Sequence, residues 1–276
     1  MIGRANMGTT MRKLIPLLIF GAAFAAPATA RAARATECTA LNICYCVEQD
    51  LKGAIEANVG KLRQAIAEQK AEGKAIGYMS LPLSTFAGGY FALNAEVSAT
   101  TKERVEKRFG AKSLWLLNPG TPSSQLPGTA NGADYMLMWT RVLEGTGGLG
   151  EDFDFYYFVG PSDFAAALGL TGEADMEKVD AIFEQRLASD AGFRRVVEQG
   201  RVTKTTFRNY YALRASIAFS YGAHDEWNIL RILNERRRGA AHLGVPHQIA
   251  SFFDGRAVAP AASEQAVSGG YMGRCN

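Results

Sequence analysis

The feature that most constrains the fold is the alternation of short apolar runs with amphipathic segments in the first half of the chain. Apolar runs of strand length occupy 75–81, 113–117 and 153–159. Segments with helical periodicity occupy 47–69, 91–109 and 133–143. Because strands that alternate with helices form parallel sheets with helices on their faces, this pattern predicts an α/β domain.

The second half of the chain has a different pattern, because strand-like runs become rare after Gly160. Helical segments are predicted over 163–169, 175–188, 190–199, 204–221 and 225–238. Residues after Gly239 are rich in Ala, Gly, Pro and Ser, which predicts irregular structure. We therefore expect an α/β domain over 31–170 that includes an N-terminal helix, a helical region over 171–239 packed on it, and an irregular tail over 240–276.

The first thirty residues have the pattern of an export signal. Arg4, Arg12 and Lys13 precede an uncharged apolar run over 14–26, and Ala28-Thr29-Ala30 supplies the small residues at which signal peptidase cleaves. The apolar run is shorter than the roughly 20 residues that a transmembrane helix needs. The sequence predicts a signal peptide over 1–30, cleaved near Ala30, and a periplasmic or secreted protein that is free of the membrane after cleavage.

The charge balance changes when this signal is removed. The chain has 30 basic and 27 acidic residues. Residues 1–30 contain the three excess positive charges and no acid, so the remainder is neutral. A neutral chain has no general electrostatic attraction for nucleic acid, and we expect no nucleic-acid partner. The oligomeric state stays open.

The four cysteines, Cys38, Cys44, Cys46 and Cys275, all follow the predicted signal. An even number of cysteines in an exported protein indicates disulfide bonds. In an extended segment Cys44 and Cys46 point in opposite directions, so they are not expected to pair with each other. We expect Cys275 to pair with one of the other three. The spacing lacks the C-x2-C pair of most zinc sites, and we expect no metal and no cofactor.

Three turns follow the predicted strands, at 80–85, 118–121 and 160–163. In open α/β sheets, ligands bind at the carboxyl ends of the strands, so these turns are candidate ligand sites. Ser162 and Asp163 have two interpretations. They cap the next helix, or the free amides at that helix start bind an anion or a sugar hydroxyl.

The densest polar cluster of the chain contains His224, Asp225 and Glu226. One interpretation is a helix start, where acidic side chains interact favourably with the helix dipole. The other is a histidine–carboxylate pair for acid–base chemistry. The sequence leaves the role of this cluster open.

Four short motifs carry a resemblance to a known family. They are Tyr78-Met79-Ser80-Leu81-Pro82, Asn118-Pro119, Asp134-Tyr135-Met136 and Gly160-Pro161-Ser162-Asp163. Over residues 77–170 the chain resembles the nucleoside 2-deoxyribosyltransferase-like group, which has a small Rossmann-like fold and acts on nucleosides and nucleotides.

The resemblance implies a role for each matching residue. Ligand-binding roles fall on Tyr78, Ser80, Asn118 and Ser162. Members of the group carry a glutamate nucleophile in the helix after the last turn, whereas residues 164–170 contain no acid. Asp163 would then be the catalytic nucleophile or base, with Asp134 as its orienting partner and Glu96 as a further substitute.

Three functions are compatible with the sequence. The first is an exported enzyme that acts on the N-glycosidic bond of a nucleoside-like small molecule. The second is a non-catalytic periplasmic or secreted binding protein on the same scaffold. The third is an interaction protein whose partner surface is the helical second half, over residues 204–238.

Overall fold

The computed structural model describes residues 33–83 and 88–275. The predicted signal peptide with its cleavage point near Ala30 lies outside the described residues, as do Ser84 and Thr85 of the first turn. None of the helices in the described ranges has the length and apolar character needed to cross a membrane.

The described residues form seven strands and nine α-helices. In chain order these are β1 (Arg34–Cys38), β2 (Cys44–Glu48), α1 (Lys52–Ala71), β3 (Ala75–Ser80), α2 (Phe91–Phe109), β4 (Leu114–Leu117), α3 (Gly132–Leu143), β5 (Phe155–Phe158), α4 (Pro161–Leu168), α5 (Asp175–Ser189), α6 (Ala191–Glu198), α7 (Lys204–Asn209), α8 (Tyr221–Gly239), β6 (Ala250–Phe253), β7 (Arg256–Ala257) and α9 (Pro260–Ser263).

The main sheet has five strands in the order β4-β3-β5-β6-β7. β3 lies parallel to β4 and β5, β6 lies parallel to β5, and the short β7 is an antiparallel edge strand. Tyr78 on β3 is opposite Leu117 on β4 and Tyr156 on β5. The prediction of an α/β protein with a mostly parallel sheet and helices around it is confirmed.

The two faces of the sheet pack against different helices. Tyr78 and Tyr156 belong to a core that also contains buried residues of α1, α3 and α8. Met79 and Tyr157 belong to a second core, with buried residues of α2 and of α4 to α7. Because neighbouring residues of a strand point to opposite faces, β3 places Tyr78 and Ser80 on the α8 side of the sheet.

The cysteines form two disulfides, Cys38–Cys44 and Cys46–Cys275. The first closes the antiparallel hairpin of β1 and β2. The second joins that hairpin to the C-terminal tail. The prediction that Cys275 pairs with one of the three N-terminal cysteines is confirmed, and Cys44 and Cys46 do not pair with each other. Two disulfides fit a protein of an oxidising compartment.

Three predicted segments differ from the structure. The helix predicted over 47–69 begins at Lys52, because residues 44–48 pair with β1. The helix predicted over 204–221 ends at Asn209, where one π-helical turn follows and then an irregular stretch. The tail predicted to be irregular supplies β6, a strand of only four residues whose pairing partner β5 lies far away in sequence.

Helix α8 covers the helix predicted over 225–238 and begins one turn earlier, at Tyr221. Its apolar side chains Ile229, Leu230 and Leu233 are fully buried in the core. These three side chains are not available for the partner surface expected over residues 204–238, in which Leu213 and Tyr221 are the exposed large apolar side chains.

Candidate active site

A cleft with a volume of about 420 Å³ lies at the carboxyl ends of β3 and β4. Clefts of this size are typical of small-molecule sites. Its walls are mostly apolar and include Leu81, Leu83, Phe91, Met136, Trp139 and Tyr271. The polar side chains that reach it are Gln125, Asn131, Ser220 and Glu226.

Two helices begin at this cleft. α3 starts after Asn131, whose side-chain oxygen accepts a hydrogen bond from the Ala133 amide at 2.8 Å. α8 starts after Ser220, whose hydroxyl accepts from the Ala223 amide at 3.4 Å. These N-caps fix the two helix starts on either side of the cleft.

Glu226 is the central residue of the site. It projects from the second turn of α8 toward β3 and is only 5% exposed. The hydroxyl of Tyr78 donates a hydrogen bond to Oε1 of Glu226 at 2.5 Å, and the hydroxyl of Ser80 donates to Oε2. Among the described residues that line the cleft, Glu226 is the one acid.

The surroundings of Glu226 favour its neutral form. Burial raises the pKa of the Glu226 carboxyl to about 8, although the hydrogen bonds from Ser80 and Tyr78 act in the opposite direction. The negative charge of the neighbouring Asp225 raises it further. A carboxyl with this pKa is mostly protonated at neutral pH, as a proton donor must be.

The buried carboxyl makes stability depend on pH. Its pKa is about 8 in the folded protein against 4.5 for an ordinary glutamate, so the folded state binds the proton more tightly. Binding of this proton stabilises the folded state fully below the unfolded pKa of 4.5. The stabilisation is lost as the pH rises from 4.5 to about 8. Relative to Glu226→Gln, we expect the free energy of unfolding of the wild type to fall by about 2 kcal/mol between about pH 6 and pH 8.

Urea unfolding of both proteins at several pH values measures this difference. Glu235→Gln, on the same helix, is the matched control because that side chain is 66% exposed. If the free energy of unfolding changed equally with pH in the wild type and in Glu226→Gln, the raised pKa of Glu226 would be contradicted.

Asp225, the next residue, has a different task. It is fully buried and accepts hydrogen bonds from the amides of Gly270 and Tyr271 at 3.0 and 2.7 Å. Burial raises the pKa of Asp225 to about 6, while these amide hydrogen bonds lower it. Asp225 therefore holds the C-terminal tail against α8.

The ligand-binding residues expected from the sequence fall into two groups. Tyr78 and Ser80 are fully buried, do not line the cleft and reach the site only through their hydrogen bonds to Glu226. Asn118 is buried beside it, where its Nδ2 donates to the Ser98 hydroxyl at 3.0 Å and its Oδ1 accepts from the Gly120 amide at 2.8 Å. Its neighbour Pro119 lines the cleft.

Neither of the two aspartates with expected catalytic roles lines the cleft. Asp134 is fully buried and accepts hydrogen bonds from the amides of Glu48 and Asn131, at 2.9 and 2.8 Å. Asp163 pairs with Arg104 and accepts hydrogen bonds from the Tyr157 hydroxyl and the Gly160 amide, both at 2.9 Å. Both side chains hold backbone in place.

Ser162 also lies away from the cleft. Its hydroxyl donates to the Asp254 carboxylate at 2.7 Å, and its amide donates to the same carboxylate at 2.8 Å. The start of α4 is therefore held by the turn between β6 and β7. Among the predicted residues, the structure thus brings together Tyr78 and Ser80, with Asn118 nearby, and leaves Asp134, Ser162 and Asp163 outside.

His224 does not pair with the acids that follow it. Its ring nitrogens lie 3.1 Å from the Ala218 carbonyl oxygen and 3.3 Å from the Ser268 hydroxyl. The acid–base candidate of this cluster is therefore Glu226 alone.

The sequence does contain a signal for Glu226. Ala223, Glu226, Leu230 and Leu233 follow one another at helical spacing and form one face of α8. A carboxylate on the apolar face of a helix is buried, and a buried carboxylate has a raised pKa. From the sequence alone, Glu226 is compatible with a helix start and with a histidine–carboxylate pair.

Within the described ranges, no group of three or more His, Cys, Asp or Glu side chains is arranged to hold a metal ion. No protein-family model, no curated protein and no solved structure matches this chain. The function must therefore be argued from the site itself.

Proposed function

We propose that this protein is an exported enzyme that cleaves the N-glycosidic bond of a nucleoside-like ligand, with Glu226 as the general acid. The observation that carries the proposal is a carboxyl with a pKa of about 8 at the wall of an apolar cleft. The two disulfides support its location in an oxidising compartment, periplasmic or secreted.

The reaction requires a proton at the leaving group. As the bond between the sugar carbon and the base nitrogen breaks, that nitrogen takes the electron pair and the proton of Glu226. The oxygen of water then bonds to the sugar carbon, and Glu226 takes back one proton from that water. The products are the free base and the free sugar, and the carboxyl ends the cycle as it began.

Tyr78 and Ser80 are positioning residues in this mechanism. Both hydroxyls donate to the Glu226 carboxyl, so they hold it at the cleft wall. They also stabilise the carboxylate that forms when Glu226 gives up its proton. The pKa of the Tyr78 hydroxyl is itself raised well above its ordinary value, mainly by burial and then by the adjacent Glu226. Tyr78 therefore stays a hydrogen-bond donor during the reaction.

The aromatic walls support a ligand with a flat ring. Tyr135, Trp139 and Tyr271 line the cleft, and aromatic side chains bind planar bases by stacking. The strand order supports a Rossmann-like site. The chain passes from β3 to β4 on one side and later to β5 on the other, which makes the end of β3 a switch point of the kind at which doubly wound sheets bind ligands.

The direct test is incubation of the purified protein, with both disulfides formed, with a panel of purine and pyrimidine ribonucleosides and 2′-deoxyribonucleosides. Chromatography measures the free base. We expect release of base from at least one nucleoside, and loss of that release in Glu226→Gln. Absence of base release across the panel, with and without a second base as acceptor, would contradict the proposal.

A second candidate is a binding protein without turnover. The observation in its favour is that both oxygens of Glu226 already accept hydrogen bonds from Tyr78 and Ser80. A rise in melting temperature with a nucleoside, in the absence of any base release, would select this function.

A further inference from the structure

The C-terminal tail closes one side of the cleft. Tyr271 lines it together with residues of α3 and α8. A Cβ atom added at Gly132, the first residue of α3, would lie 2.1 Å from Cζ of Tyr271, so the ring lies directly on this glycine. The same ring lies 5.9 Å, centroid to centroid, from that of Tyr221 at the start of α8. Tyr271 therefore spans the two helix starts that border the cleft.

Hydrogen bonds hold the tail against α8. Asp225 accepts from the amides of Gly270 and Tyr271. The side chain of Asn228 exchanges two hydrogen bonds with the backbone of Val267, at 3.1 and 3.2 Å. The indole of Trp227 donates to the Gln265 carbonyl at 3.0 Å. Three residues in one turn of α8, Asp225, Trp227 and Asn228, therefore bind the tail.

A covalent bond holds the far end. Cys275 is joined to Cys46 on β2, and the Cys275 amide donates to the Thr36 hydroxyl at 2.9 Å. The Gly273 amide donates to the Cys44 carbonyl at 2.8 Å. Tyr271 thus sits between a hydrogen-bonded anchor on α8 and a disulfide anchor on the hairpin, four residues away.

We propose that residues 268–275 are a tethered wall of the cleft, kept in place by the Cys46–Cys275 disulfide, and that Tyr271 is a specificity-determining residue on this wall. The selecting role rests on the proposed function, because it concerns the ring of the ligand. The wall itself does not, because it concerns only access to the cleft.

Access can be measured without any ligand. Met136 lines the cleft and is buried, and the structure places all four native cysteines in disulfides. In a Met136→Cys background, the rate of maleimide reaction under non-reducing conditions therefore reports how open the cleft is. We expect Cys46→Ser/Cys275→Ser to raise this rate about tenfold or more, because the tail then opens locally.

The matched control is Cys38→Ser/Cys44→Ser, which removes the other disulfide of the same hairpin and leaves the tail tethered. We expect it to keep the parent rate. Equal maleimide rates in the two double variants would contradict the proposal that the tethered tail limits access to the cleft.

A second pair of variants leaves both disulfides intact, in case the double variant fails to fold by circular dichroism. Gly132→Ala places a methyl group on the Tyr271 ring, whereas the methyl group of Gly128→Ala has no neighbouring atom within 4 Å. We expect the first, and not the second, to raise the maleimide rate. An unchanged maleimide rate in Gly132→Ala would also contradict the proposal that the tail forms a wall of the cleft.

The selecting role is tested by KM values for a purine and a pyrimidine nucleoside. We expect Tyr271→Ala to change their ratio several-fold, because a purine stacks more ring area on Tyr271 than a pyrimidine does, and Tyr271→Phe to preserve the ratio. An unchanged ratio in Tyr271→Ala would overturn this role. If the wild type neither cleaves nor binds any nucleoside, the selecting role of Tyr271 fails together with the proposed function. The maleimide rates still test whether the tail limits access to the cleft.

Discussion

Glu226→Gln is expected to lower kcat/KM for nucleoside cleavage by about 10²–10⁴-fold, the usual contribution of a general acid. Glutamine has nearly the same shape and accepts the hydrogen bond from Tyr78, so the fold is retained, but it has no proton to donate. Initial rates of base release, with circular dichroism to verify the fold, measure the effect. Activity within a few-fold of wild type would rule out Glu226 as the acid.

The pH profile separates an acid from a nucleophile. Because burial raises the pKa of Glu226 to about 8, a general acid loses activity as pH rises through about 8. A carboxylate nucleophile would gain activity over the same interval, since it acts in the ionised form. Glu235→Gln, on the exposed side of α8, is expected to leave both rate and profile unchanged. A rate that increases through pH 8 would contradict the acid role and favour a nucleophile.

Gly77→Ala is expected to destabilise the protein by about 1–3 kcal/mol, the typical cost of overpacking a core. Gly77 lies in the middle of β3, between the neighbouring strands. A Cβ atom there would be 2.2 Å from Cζ of Phe155 and 2.7 Å from Cδ1 of Leu116, so both side chains must move. Chemical denaturation measures the free energy of unfolding.

The control for this prediction is another glycine. Gly60 lies on the exposed side of α1, and a Cβ atom there would meet nothing within 4 Å. Gly60→Ala is therefore expected to stabilise the protein by about 0.5–1 kcal/mol, because alanine loses less backbone freedom on folding. A stability loss of equal size in both variants would show that contact with Phe155 and Leu116 is not the cause.

Local sequence patterns predicted much of the fold. The apolar runs of β3, β4 and β5 and the periodicity of α2, α3 and α5 depend on residues close together in the chain, and these elements appear where the sequence predicted them. The cysteine pairing was predicted in part, since direction along an extended segment separates Cys44 from Cys46. β6 was missed because its four residues become a strand only through pairing with β5.

The candidate site was harder to predict, because its parts are far apart in sequence. Tyr78 and Ser80 were singled out as strand-end residues, which the sequence can indicate. Their partner Glu226 lies 148 residues beyond Tyr78. Asp163 had the expected position after a strand, yet Arg104 and Tyr157 engage its carboxylate in a structural cluster.

The sequence by itself determined the alternation of strands and helices, the position of Tyr78 and Ser80 at the end of a strand, and the presence of four cysteines for two disulfides. These follow from local periodicity and residue chemistry. Only the tertiary structure decided which acid lines the cleft and which residue of the C-terminal tail lines it with that acid. Packing of α8 on the sheet removes Glu226 from water and raises its pKa, and the folded tail, joined to β2 by the Cys46–Cys275 bond, places Tyr271 at the same cleft. Burial and proximity of this kind arise from contacts between distant segments, which no local pattern specifies.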